Sequence, residues 1–215
     1  MTIDVLVADD HAIIRDGLKK ILADTADFAV AGEAANGNAA LDLVRERDWG
    51  LVVLDMSMPG RSGLELIKLM KGERPKLPIL VFSMHPEEQY AVRAIRAGAA
   101  GYLSKESDSD LLLPAMRKIA AGGAFVSAKV AELLATDVSH PTDGLPHTLL
   151  SDREYGIFSR IVRGSSLTEI AEELSLSIKT VSTHKAHILA KMNMAGQVDL
   201  VRYAIENKLL DTARE

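Results

Sequence analysis

Short apolar runs recur through the first half of the chain, separated by stretches with helical spacing. Residues 3–8 (IDVLVA), 28–34 (FAVAGEA), 51–54 (LVVL), 78–83 (PILVFS) and 100–104 (AGYLS) have the composition of strands. Most are near-continuous and not strictly alternating, the pattern of strands covered on both faces. Around them the spacing predicts helices near 12–24, 37–47, 63–72, 87–97 and 108–121. Strands that alternate with helices need crossover connections, so the sheet should be parallel and covered on both sides. Ser62-x-x-Glu65 has the form of a capping box at the start of the third helix.

After Gly122-Gly123 the alternation stops. One short helix is expected over 127–135 (SAKVAELLA), then a turn-rich stretch over 139–148 (SHPTDGLPHT). Beyond it every pattern is helical, near 152–163, 167–174, 178–192 and 196–207. Ser151-x-x-Glu154 and Ser166-x-x-Glu169 each open a helix with a capping box. The expected organisation is an α/β domain over 1–122, a linker with a short helix over 123–147, and a small four-helix domain over 148–215.

Composition narrows the function. A hydrophobic content of 47% and a charged content of 26% are those of a soluble globular protein. The absence of cysteine excludes disulfides and thiolate metal sites. No apolar run reaches membrane-span length, and the opening MTIDVLVADD carries three acids where a signal segment would be basic, so a cytoplasmic protein without a membrane partner is expected. A net charge of -5 argues against a wholly basic nucleic-acid coat, but leaves room for a small module with a locally basic face.

In open α/β sheets ligands sit outside the carboxyl ends of the strands, beside the switch point. This chain places Asp9-Asp10, Asp55, Ser83 and Ser104-Lys105 at those ends. With a flavodoxin-like strand order of 2-1-3-4-5, the acids of strands one and three become neighbours. Clustered carboxylates repel unless a cation joins them, and Mg2+ prefers oxygen ligands. One carboxylate could then attack a phosphoryl group, while a metal, a lysine and a hydroxyl neutralise the transferring oxygens. Taken singly these residues have plainer roles: Asp10 as a helix cap, Ser83 as a turn former, Lys105 as a solvated charge. Their coincidence at neighbouring strand ends favours a site. His11 is expected to pack at the helix start and not to ligate metal.

The segments VADDH, VVLDMSMPG, VFSMH and GYLSKE resemble the receiver domain of two-component response regulators over residues 1–122. The resemblance implies that Asp55 is the phosphoacceptor, accepting phosphate from a sensor histidine kinase. Asp9, Asp10, Asp55 and the carbonyl of Ser57 would hold Mg2+. Ser83 would be the switch hydroxyl, Tyr102 the aromatic that moves with it, and Lys105 the partner of a phosphoryl oxygen. Met84 departs from the small residue frequent after the switch hydroxyl, which bears on phosphodonor access. A phosphohydrolase of the haloacid dehalogenase type also uses an aspartate at a strand end. It needs a second acid two residues later, where this chain has Ser57. No G-x-G-x-x-G follows the first strand, so a dinucleotide fold is disfavoured.

In the helical half, SLTEIAEELSLSIKTVSTHKAHILAKM carries a helix, a short turn and a longer helix. Ile170, Ala171 and Leu174 form the inner face of the first; Val181, Ile188 and Met192 continue it on the second, with Ser177 as its N-cap. That is the outline of a helix-turn-helix. Residues 141–215 carry nine Lys/Arg and ten Asp/Glu, yet no acid occurs from Leu174 to Val198, where Lys179, Lys185 and Lys191 do. Lys179, Thr180, Ser182, Thr183, Ala186 and His187 face away from the inner stripe, and Lys185 lies near its edge, able to reach a phosphate by snorkelling. A solvated helical face is the plainer reading, and a protein-interaction output the alternative from another class. The stretch from Leu149 to Leu210 resembles the LuxR-type helix-turn-helix of the NarL/FixJ response regulators. This implies a regulator and not an enzyme, with double-stranded DNA as partner. It also implies a homodimer when phosphorylated or DNA-bound, paired through Val198, Val201 and Ile205 of the last helix.

Overall fold

A computed structural model describes residues 2–58, 61, 63–85, 87–139, 145–174, 176–207 and 209–210. Two compact units emerge, Met1–Val138 and Ser139–Glu215.

In the first unit, β1 (Ile3–Ala8), β2 (Phe28–Ala34), β3 (Leu51–Leu54), β4 (Ile79–Ser83) and β5 (Gly101–Ser104) form one sheet of order β2-β1-β3-β4-β5. All pairings are parallel. The crossovers are α1 (Ala12–Ala23), α2 (Gly37–Glu46), α3 (Gly63–Glu73) and α4 (Glu87–Ala97), with α5 (Leu112–Ala120) after β5. Side chains alternate across the sheet. Val5, Val7, Leu51, Val53, Leu80 and Leu103 pack with Leu18 and Leu22 of α1 and Met116 and Ile119 of α5. Leu6, Val52, Leu54, Ile79 and Val81 are equally buried. Ala8 stands opposite Leu54 in the register, so β1 and β3 end side by side.

The expected helix over 108–121 divides. Asp108 accepts the Asp110 N–H and opens a 3-10 turn over Ser109–Leu111, and α5 begins only at Leu112. Pro114 explains the later start: it has no N–H to donate and is tolerated in a first turn but not in a helix interior. Ser62 of the proposed capping box lies outside the described residues. An unforeseen cap is Asn36, whose side chain accepts the Ala39 N–H of α2.

The segment expected as linker is partly built into the first unit. Phe125 bridges Gly101 of β5, and Val130 of α6 (Ala128–Ser139) is fully buried. The boundary between the units falls after Val138, inside the 123–147 segment.

The second unit holds a 3-10 turn (Pro146–Leu149), α7 (Asp152–Val162), α8 (Leu167–Glu173), α9 (Ile178–Met192) and α10 (Gln197–Glu206). Ser151 with Glu154 and Ser166 with Glu169 make reciprocal capping boxes, and the Ser177 side chain accepts the Thr180 N–H. Asn193 ends α9 at φ 52, a left-handed position that Asn tolerates. Ile170, Ala171, Leu174, Val181, Ile188 and Met192 are all buried, as their spacing predicts.

Candidate functional site

The ladder delivers the acids. The Asp55 N–H donates to Ala8 O at 2.8 Å, and the Lys105 N–H to Ser83 O at 2.8 Å, so strand pairing itself sets these residues at one rim. Lys105 Nζ lies 2.6 Å from Asp9 Oδ2 and 3.3 Å from Asp55 Oδ2, with all three side chains at most 4% exposed. The ammonium between the two buried carboxylates offsets their mutual repulsion. Burial pushes the Asp55 carboxyl up, Lys105 pulls it back, and the Asp9 charge pushes it up again. Asp55 Oδ1 accepts the Met56 N–H at 2.8 Å, which fixes the plane of the carboxylate.

Asp10 is oriented differently. Its Oδ1 is buried without a hydrogen bond, although His11 Nδ1 stands 2.8 Å away. Asp10 does not cap α1: His11 occupies the N-cap position, and Asp9 Oδ1 takes the His11 N–H at 2.9 Å. His11, expected to pack at the helix start, has a side chain 59% exposed and a ring beside both acids. Ligand atoms of Asp9, Asp10, His11 and Asp55 lie within 4.8 Å of one another. Three carboxylates converging on one point suit a hard divalent cation such as Mg2+; the imidazole is the poorest match.

Ser83 is fully buried and its Oγ accepts the His85 N–H at 3.3 Å. Tyr102, also buried, donates its hydroxyl to His85 O at 2.8 Å, and burial pushes its pKa upward. His85 escaped the sequence reading. Its Nε2 lies 2.9 Å from Ser57 Oγ and its ring stacks on Tyr90 at 4.6 Å, so it joins the loops after β3 and β4. Only its presence in VFSMH hinted at this, since a lone histidine has no diagnostic spacing. Met84 is 59% exposed.

On α9, Lys179, Thr180, Ser182, Thr183, Ala186 and His187 are exposed, opposite the buried stripe. The three lysines are not equivalent. Lys191 Nζ bonds Glu154 Oε2 at 2.7 Å and is spent within the unit. Lys185 is half-buried, its Nζ donating to the neutral Gln197 Oε1 at 2.9 Å, which positions the charge without cancelling it. Lys179 is exposed at the first turn of the helix. Burial, then the Arg153 charge, hold the His184 pKa below its ordinary value, which disfavours a charge on this side chain. On α10, Val198 is 71% and Ile205 59% exposed and Val201 half-buried, while Leu200 and Ala204 pack inward.

Two family models match the chain: the response regulator receiver domain over residues 5–117, and the bacterial regulatory proteins of the luxR family over 148–204. The chain is 36% identical over 214 residues to the oxygen regulatory protein NreC of Staphylococcus haemolyticus, covering 96% of this chain and 99% of that one. It is 34% identical over 209 residues to the response regulator UvrY of Escherichia coli K12, covering 96% and 95%. Among solved structures, RcsB of Salmonella enterica serovar Typhimurium, bound to the promoter rprA with a phosphomimetic, superposes with a TM-score of 0.66 at 26% identity, covering 94% and 98%.

Proposed function

Because this chain belongs to the response regulators that join a receiver domain to a LuxR-type DNA-binding domain, we propose that its acid pocket accepts a phosphoryl group on Asp55 and that its α9 reads DNA in response. It is a transcription regulator of a two-component system, whose partners are a histidine kinase and double-stranded DNA. The related RcsB dimers bound to DNA support action as a homodimer, for which Val198, Val201 and Ile205 are the candidate contacts. Its role is regulatory and not that of an enzyme with an external substrate. No helix among the described residues is long and apolar enough to cross a membrane, and we place the protein in the cytoplasm.

The single observation that carries the phosphoryl reading is the buried Lys105 ammonium, within 3.3 Å of both Asp9 and Asp55. An ammonium so placed can follow the negative charge as it moves from carboxylate to phosphoryl oxygen. Asp55, held by the Met56 N–H, is the nucleophile toward a phosphohistidine. Asp9, Asp10, Asp55 and the Ser57 carbonyl would hold Mg2+, which when bound neutralises charge on the transferring oxygens. Ser83 Oγ, which accepts the His85 N–H at 3.3 Å, is the hydroxyl that would turn to the phosphoryl group. Tyr102, bonded to the same His85, would feel that turn.

Intact-mass spectrometry after incubation with a small phosphodonor tests this. A magnesium-dependent gain of one phosphoryl is expected in the wild type and none in Asp55→Asn. Persistent labelling of the variant would move the acceptor elsewhere.

A further inference from the structure

β5 is the last strand of the sheet, and its outer edge is not bare. The Phe125 N–H donates to Ala100 O at 3.0 Å, and the Tyr102 N–H donates to Phe125 O at 3.2 Å, a parallel bridge with Gly101 at its centre. The half-buried Phe125 ring packs on the core beneath. Gly101 makes this possible: a Cβ there would meet Phe125 O and Ile119 Cδ1 at 2.6 Å. Two residues on, Ser127 Oγ donates to Glu87 Oε1 in the first turn of α4 at 2.8 Å, and accepts the Val130 N–H at 3.2 Å, so one hydroxyl both caps α6 and ties it to α4. Val130 is fully buried behind it.

The strap thus grips two elements that the proposed switch would move against each other. Its backbone is bonded to the amide of Tyr102, and its side-chain tie ends on Glu87. Glu87 lies two residues after His85, whose carbonyl takes the Tyr102 hydroxyl and whose N–H meets Ser83 Oγ. We propose that residues 124–130 are a built-in docking strap for the β5 edge, closed when Asp55 is unmodified and loosened when Ser83 turns to a phosphoryl group. Ser127 and Glu87 are its positioning residues. The partner of this surface is therefore the chain's own connector to the DNA-binding domain. Loosening frees residues 124–130, lengthening the connection between receiver and output domain and changing the effective concentration of one about the other. This rests on Asp55 being the acceptor.

Residue-resolved hydrogen exchange on the full chain decides it. Ser127→Asp keeps an acceptor for the Val130 N–H but replaces the donor facing Glu87 with a second negative charge. Exchange of the Phe125 and Tyr102 amides should rise about tenfold over wild type without any phosphodonor, the scale of losing one hydrogen bond to a charged group. Glu87→Ala, which leaves the α6 cap intact, should act in the same direction. Unchanged exchange in both variants overturns the strap, and this arm needs no phosphorylation. In wild type with phosphodonor and magnesium, the same two amides should lose protection in the fraction that gains phosphoryl mass. A mass gain with protection unchanged also overturns the proposal. No mass gain counts against the acceptor reading instead, and leaves the variant arm to decide the strap.

Discussion

A lysine buried between two carboxylates acts on the ionisation of Asp55. Lys105 holds the Asp55 carboxyl below where burial alone would carry it. Removing the ammonium raises the Asp55 pKa further, because desolvation and the Asp9 charge then act unopposed. In Lys105→Met the pH profile of phosphoryl uptake from a small donor should move to higher pH, read by mass spectrometry across a pH series. An unmoved profile would show that Lys105 does not set the ionisation of Asp55. Glu154 illustrates the opposite sign. Burial works to raise its pKa, but hydrogen bonds from Lys191 and from the backbone and side chain of Ser151 outweigh it and hold it at about 2, against an ordinary 4.5. A depressed carboxyl stabilises the fold above its unfolded pKa and loses that contribution as pH falls through the folded value. Glu154→Gln keeps the capping geometry and removes the charge. It should lower the Tm of the DNA-binding domain by roughly 5 °C at neutral pH, the scale of about 1 kcal/mol in a domain this size. The gap should close as pH drops from about 4.5 toward 2.

At the scale of elements, α9 separates its charges by role. Each lysine on a phosphate releases about one counterion, so Lys179→Ala should weaken binding on all DNA sequences and lower the salt slope by about one unit. Lys191→Ala should leave the slope unchanged and reduce stability instead, since Glu154 already holds its charge and would be left buried without it. Salt-titrated affinity of the full-length variants, with a parallel melt, distinguishes the two. An equal slope change for both would mean that the Glu154 pair opens on DNA. The same helix shows how an element is ended: Ser177 satisfies its first turn, and Asn193 in the left-handed region closes its last.

Across the whole molecule the proposed circuit joins an α/β receiver to an all-α reader. The exposed apolar stripe of α10 is the proposed pairing surface between two copies. Val198→Asp should lower affinity for a two-half-site DNA at least tenfold while leaving phosphoryl uptake and single half-site binding near wild type, measured by sedimentation and DNA titration. Equal losses on one and two half-sites would mean that Val198 serves folding and not pairing.

Much of this was legible along the chain because it is written in local physics. Near-continuous apolar runs place the five strands within a residue of their observed ends, and S-x-x-E marks two helix starts. The acids at the ends of β1 and β3 meet because parallel pairing sets Ala8 opposite Leu54, so the cluster followed from strand order alone. Other features depend on partners far apart in sequence and on where side chains settle when packed. Lys105 reaches two acids at once only after β5 has docked beside β4. His85 gains its role from Ser57, Tyr90 and Tyr102, none of which its spacing could name. Lys191 looks like its two neighbours on the helical wheel until α7 brings Glu154 against it. Gly101 reads as an ordinary strand glycine until Phe125 lies across it. Periodicity is a property of neighbours in the chain and can be read from it; charge compensation and close backbone approach are properties of neighbours in space, and only folding chooses those.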